Sequence, residues 1–117
     1  MPGNARGPVS AIPHNRPQIT DEDRAAVDAV LQSGWIAEGP QVRALETRFD
    51  RLYGGGGSCA VSSGTAALYL ALRALGIEKG DAIAVPTYAC SALLNAVYMA
   101  KASPIVVDVC ADDFNMD

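Results

Sequence analysis

At 117 residues, half of them hydrophobic, the chain has material for one small domain with a core. Nine basic residues against thirteen acidic ones give a net charge of −4 without any basic run, which argues against nucleic-acid binding. No apolar stretch approaches the ~20 residues of a membrane span. The three cysteines, Cys59, Cys90 and Cys110, form no Cys-x-x-Cys pair and sit in apolar runs, so reduced core thiols in a cytoplasmic protein are expected, with no metal site.

In chain order, the proline-containing start (Pro2, Pro8, Pro13, Pro17) lacks the apolar region of a secretory signal, and residues 1–11 are expected to be a flexible lead. Thr20 with Asp23 resembles a capping box, and Asp21, Glu22 and Asp23 suit the positive end of a helix dipole. That predicts a helix over 21–32, with Val27, Val30 and Leu31 on its buried side, stopped by Ser33-Gly34. Gly39-Pro40 opens a second helix, and Val42, Leu45, Phe49 and Leu52 recur on one face of it. The four glycines at 54–57 end it.

From there the pattern alternates. A strand at 58–61 leads to a helix at 65–75, with Gly76 placed as its left-handed cap. A second strand at 82–85 leads to a helix over about 90–100, and a third strand at 104–109 precedes the acidic turn Asp112-Asp113. Short, continuous apolar strands joined by helices predict an α/β fold with a parallel sheet covered on both faces. Ligands of such sheets gather at the carboxyl ends of the strands. Ser63-Gly64-Thr65, Thr87-Tyr88 and Asp108 leave strands at that edge, whereas Lys79 and Lys101 lie in turns that enter strands at the opposite one.

Ser63-Gly64-Thr65 joins a strand to a helix, where free N–H groups and the dipole converge on an anion, above all a phosphate. The same turn also occurs without a ligand in α/β proteins. A P-loop would need a lysine near Gly64, a dinucleotide fingerprint would need glycines after the strand, and a serine-hydrolase elbow would need glycine where Ala60 or Val61 stands. Phosphate remains the best chemical reading.

Further words carry a family resemblance: Ser33-Gly34-Trp35-Ile36, Gly39-Pro40 with Glu46 and Phe49, and Ser63-Gly64-Thr65-Ala66-Ala67-Leu68. Leu72-Arg73-Ala74-Leu75-Gly76, Val85-Pro86-Thr87-Tyr88, Asn95-Ala96 and Pro104-Ile105-Val106-Val107-Asp108-Val109 follow in order. With them, residues 12–117 resemble the N-terminal part of the DegT/DnrJ/EryC1/StrS aminotransferases. The resemblance implies an incomplete three-layer, aspartate-aminotransferase-like (type I) large domain of a pyridoxal 5′-phosphate (PLP) enzyme. It implies transfer of an amino group from a donor such as glutamate to a keto-sugar nucleotide, by a cytoplasmic homodimer that engages neither nucleic acid nor membrane. It assigns Gly64, Thr65 and Ala66 to the cofactor phosphate and Tyr88 to the pyridine ring. Trp35 is placed near the substrate.

The Schiff-base lysine and the aspartate that pairs with the pyridine nitrogen come later in family sequences. No catalytic residue is therefore expected within residues 1–117, and this chain alone is expected to be inactive. Two other readings stay open: a non-catalytic truncated or split-gene product, and a small α/β domain that binds some other phosphate ligand. A dehydratase of the same family, with histidine at the lysine position, is a third.

Overall fold

Two helices of this chain begin where a hydroxyl side chain accepts a backbone N–H that a helix start leaves open. The computed structural model describes residues 13 and 15–117, so the expected lead over residues 1–11 lies outside the described residues. The chain divides into two units, Met1–Arg43 and Ala44–Asp117.

In the first unit, α1 (Asp21–Ser33) opens on the expected capping box. The Asp23 N–H donates to Thr20 Oγ1 at 3.2 Å, and the Thr20 N–H donates to Asp23 Oδ2 at 2.7 Å. Hydrogen bonds from the Thr20 backbone, then from its hydroxyl, hold the Asp23 carboxyl below its ordinary value of 3.8. Gly34 closes the helix in the left-handed region. Val27 and Leu31, expected on a buried face, are exposed, and Val30 is half-buried. The periodicity is genuine, but within this unit no other complete element packs on that stripe.

Pro40 begins α2 (Pro40–Tyr53), at the position where a missing N–H costs nothing. The rings of Phe49 and Tyr53 stack one turn apart with centroids separated by 5.9 Å. Leu45, Phe49 and Leu52 keep the predicted spacing, yet all three are exposed.

In the second unit, residues 58–61 depart from expectation. They form no strand, because no described strand lies alongside to complete a ladder. The segment is tethered to α2 instead. The Ala60 N–H donates to Glu46 Oε1 at 2.8 Å, and the Ser58 hydroxyl donates to Asp50 Oδ1 at 2.7 Å. Next, α3 (Gly64–Ala74) starts one residue before its predicted first residue, because Ser63 caps it: the Ser63 hydroxyl accepts the Ala66 N–H at 3.2 Å. At its far end the Gly76 N–H donates to the Arg73 carbonyl and the Ile77 N–H to the Leu72 carbonyl, both at 3.0 Å. That is a Schellman motif, and it requires the left-handed φ of 78° that Gly76 adopts.

The chain then forms β1 (Ala82–Pro86), α4 (Ala92–Met99) and β2 (Ser103–Val107). The strands pair in parallel, from Ala82 opposite Ser103 to Pro86 opposite Val107. This is the predicted strand–helix–strand unit. β2 ends earlier than expected because Asp108 Oδ1 accepts the Val109 N–H at 2.8 Å, after which Val109 pairs antiparallel with Met116. Val85, Val97 and Ala102 form the buried core, ringed by half-buried Leu72, Ile77, Ile83, Leu93 and Leu94.

The cysteines need a correction. All three are free, but Cys59 and Cys90 are exposed and Cys110 is half-buried. Cys59 lies in the unpaired segment and Cys90 in the loop before α4, so no packed layer encloses either thiol. Among the described residues, no helix is long and apolar enough to cross a membrane.

Candidate functional site

The site takes shape where α3 begins. A turn through Gly76 and Gly80 reverses the chain between α3 and β1, and Leu68 and Leu72 line one apolar cavity with Ile83, Ala84 and Val85. At about 1.5 Å per helical residue and 3.3 Å per strand residue, α3 and β1 each span roughly 16 Å. In a parallel α/β unit the helix runs back against the strands, an arrangement that sets the start of α3 toward the carboxyl end of β1, where Thr87 and Tyr88 leave the sheet.

The first turn of α3 presents Gly64 and Thr65, whose N–H groups have no acceptor within the helix. Among the described residues the Thr65 hydroxyl has no partner either. A Cβ built on Gly64 would meet nothing within 4 Å, and the first turn carries no acidic residue. Two free amides, a free hydroxyl, open space and the positive dipole end suit an anionic group. A phosphate fits this turn. The Ala66 N–H differs from its two neighbours, because the Ser63 hydroxyl already accepts it. Ala66 itself is half-buried and follows Thr65 in the same turn.

Tyr88 occupies the same sheet edge. The Thr87 N–H extends the pairing by donating to the Val107 carbonyl at 2.8 Å, and the Thr87 hydroxyl donates to Asp108 Oδ1 at 3.3 Å. These bonds fix the residue before Tyr88 against the end of β2. Tyr88 is 72% exposed. It leans on Phe114, with centroids 5.3 Å apart and planes tilted by 40°. Phe114 sits at φ 59°, an uncommon conformation for a bulky residue. The Phe114 N–H donates to the Cys110 carbonyl, and the Cys110 N–H to the Asn115 carbonyl.

Trp35 belongs to the other unit. It lines a cavity of about 300 Å³ with Ala29, Val30, Ile36 and Pro40. A Cβ on Gly39 would lie 3.2 Å from its Cε3, so the indole packs on glycine. Lys79 and Lys101 lie in the turns that enter β1 and β2, at the edge away from Thr87 and Asp108. No group of three metal-ligating side chains gathers among the described residues.

Three features of the site escaped the sequence reading: the Phe114–Tyr88 pair, the Thr87–Asp108 bond, and the Glu46 and Asp50 tethers. The first two join residues far apart in the chain, and no local pattern announces them. The third carried a signal in the four-residue spacing of two carboxylates on one helix face.

Comparisons with known proteins point to one family. The family model described as the DegT/DnrJ/EryC1/StrS aminotransferase family matches residues 17–117. Among solved structures, the PLP-form of Spr1654 from Streptococcus pneumoniae, described as a sugar aminotransferase, is similar at 37% identity with a TM-score of 0.80. That match covers 91% of this chain and 27% of Spr1654. S. venezuelae DesV, solved in complex with a ketimine intermediate, is 36% identical over 82% of this chain and 26% of its own, at a TM-score of 0.73. E. coli GDP-4-keto-6-deoxy-D-mannose-3-dehydratase, solved with bound hydrated PLP, is 28% identical over 87% of this chain and 28% of its own, at a TM-score of 0.70. The chain thus spans about a quarter of the length of each.

Proposed function

Because this chain belongs to the DegT/DnrJ/EryC1/StrS aminotransferase family, we propose that the protein is a PLP-dependent aminotransferase acting on a keto-sugar nucleotide. Residues 12–117 then form the N-terminal portion of its type I large domain, and an amino acid such as glutamate is the donor. The observation that carries this reading is the free first turn of α3, open at Gly64 and without an acidic residue, at the position that the family pattern reserves for the cofactor.

When bound, the cofactor would supply an aldehyde carbon to carry the amino group and a ring to withdraw electrons from it. The described residues do the holding. The Gly64 and Thr65 N–H groups and the Thr65 hydroxyl bind the phosphate, and the α3 dipole adds about 0.3–2 kcal/mol. Tyr88, backed by Phe114, fixes the plane of the pyridine ring, with a stacking gain of about 0.5–1.5 kcal/mol beyond burial. Trp35 borders the sugar substrate. The proton-moving lysine and the aspartate at the pyridine nitrogen are supplied by residues outside 1–117, so this stretch by itself turns over nothing. The working enzyme is a cytoplasmic homodimer.

The test is a half-reaction. The intact protein, loaded with PLP and given glutamate, should release one 2-oxoglutarate per cofactor, and a keto-sugar nucleotide should then accept the amino group. A protein that binds PLP but yields no 2-oxoglutarate refutes the aminotransferase reading. Similarity to the E. coli dehydratase supports a second reading, in which the sugar loses water instead of gaining nitrogen. Product analysis separates the two.

A further inference from the structure

We propose that Glu46 and Asp50 are positioning residues for the phosphate cup: they clamp residues 58–60 to α2 and so fix where Ser63-Gly64-Thr65 points. This inference rests on the cup reading above and concerns residues that bind no ligand themselves. Glu46 Oε1 accepts the Ala60 N–H at 2.8 Å, and Asp50 Oδ1 accepts the Ser58 hydroxyl at 2.7 Å. Both acceptors are carboxylates, which make shorter and stronger hydrogen bonds than neutral groups.

The spacing explains why this pair works. Residues 46 and 50 lie one turn apart on the same face of α2, separated by about 6 Å along its axis. Residues 58 and 60 stand two apart, about 6.6 Å in an extended chain, and offer a side-chain hydroxyl and a backbone N–H to the two carboxylates. The two repeats nearly coincide, and the order is reversed, with 46 against 60 and 50 against 58. The chain therefore turns at the glycines and runs back along α2 in a pinned register. A slip of one residue would put Gly57 or Cys59 in place of Ser58 and take its hydroxyl from Asp50.

The body of α3 is held by packing on α4 and by Leu72 at the rim of the core. No residue of its first turn is buried, so the core itself does not reach the helix start. Among the described residues, Ala60 has the only backbone N–H of the 58–61 segment with a partner. The clamp ends three residues before the Ser63 cap, which leaves only Val61 and Ser62 between tether and cup. Loss of a tether should thus misplace the Gly64 and Thr65 amides without removing them.

The distinguishing experiment compares PLP with pyridoxal, which has the same ring but no phosphate. Dissociation constants are measured on the intact protein for wild type, Glu46→Ala, Glu46→Gln and Ser58→Ala. Glu46→Ala should weaken PLP about tenfold and leave pyridoxal unchanged. Glu46→Gln keeps an acceptor oxygen and should restore most of the affinity. Ser58→Ala removes a single hydroxyl, tests the clamp should Glu46→Ala fail to fold, and should show the same PLP-selective loss at smaller size. Unchanged PLP affinity in Glu46→Ala and Ser58→Ala, or equal losses for PLP and pyridoxal, overturns the proposal. Wild-type protein that binds PLP no better than pyridoxal overturns the phosphate cup itself, and the positioning role falls with it.

Discussion

Replacing Thr65 with valine removes one hydroxyl and keeps the branched shape of the side chain. That hydroxyl makes no hydrogen bond within the protein among the described residues, so its removal leaves no buried group stranded. The cost to the cofactor-free fold is then only the small difference in helix propensity, a few tenths of a kcal/mol at most. Against a bound phosphate the loss is larger. A hydrogen bond to a charged group is worth about 1.5–3 kcal/mol, and each 1.4 kcal/mol is a factor of ten, so PLP should bind roughly ten- to a hundredfold more weakly. Thr65→Ser retains the hydroxyl and should stay within a few-fold of wild type. The assay is an absorbance titration of the intact protein with PLP, run beside the melting temperature of the cofactor-free form. Thr65→Val with wild-type affinity, or Thr65→Ser with an equal loss, would refute the assignment of this hydroxyl to the phosphate.

Other perturbations test the fold that positions the cup. The folded-state pKa of Asp23 is depressed, so its contribution to stability is present above the ordinary value of 3.8 and lost as pH falls through the lower folded value. Protection of the amides in the first turn of α1 should therefore fall below about pH 4; Thr20→Val, which keeps the backbone N–H that is the larger cause, should weaken that dependence, and Asp23→Asn should abolish it. Val97 is 2% exposed, and Val97→Ala should destabilise by about 2–3 kcal/mol through lost burial plus a cavity, read as a lower denaturant midpoint. Gly76→Ala forces a left-handed φ on a residue with a side chain, although no atom lies within 4 Å of the new Cβ. It should cost about 1–2 kcal/mol, and a neutral result would show that the Schellman turn relaxes.

Local chemistry was the legible part of the sequence. Thr20 with Asp23, Pro40, Gly76 and the Ser-Gly-Thr turn each act on neighbours within a few residues, and all stand where their types demand. The parallel pairing of β1 with β2 was legible too, because continuous apolar strands around a helix leave few arrangements. Residues 58–61 and the apolar stripes of α1 and α2 were harder. Periodicity says which face wants cover, not which element supplies it, and Val27, Leu31, Leu45 and Leu52 are exposed among the described residues. Cys59 was assigned to a core because its apolar neighbours suggested a paired strand; the segment has two carboxylate tethers in place of a ladder. The place of Gly64 and Thr65 in the first turn of a helix was readable from the turn itself. Phe114 against Tyr88 was not, since 25 residues of intervening chain decide that contact.

The most direct test of the phosphate cup is a crystal structure of the intact protein grown with PLP. The account predicts the phosphate about 2.7–3.1 Å from the Gly64 nitrogen, the Thr65 nitrogen and Thr65 Oγ1, with the Tyr88 ring against the pyridine. A cofactor phosphate held elsewhere, with the first turn of α3 facing only water, would contradict it.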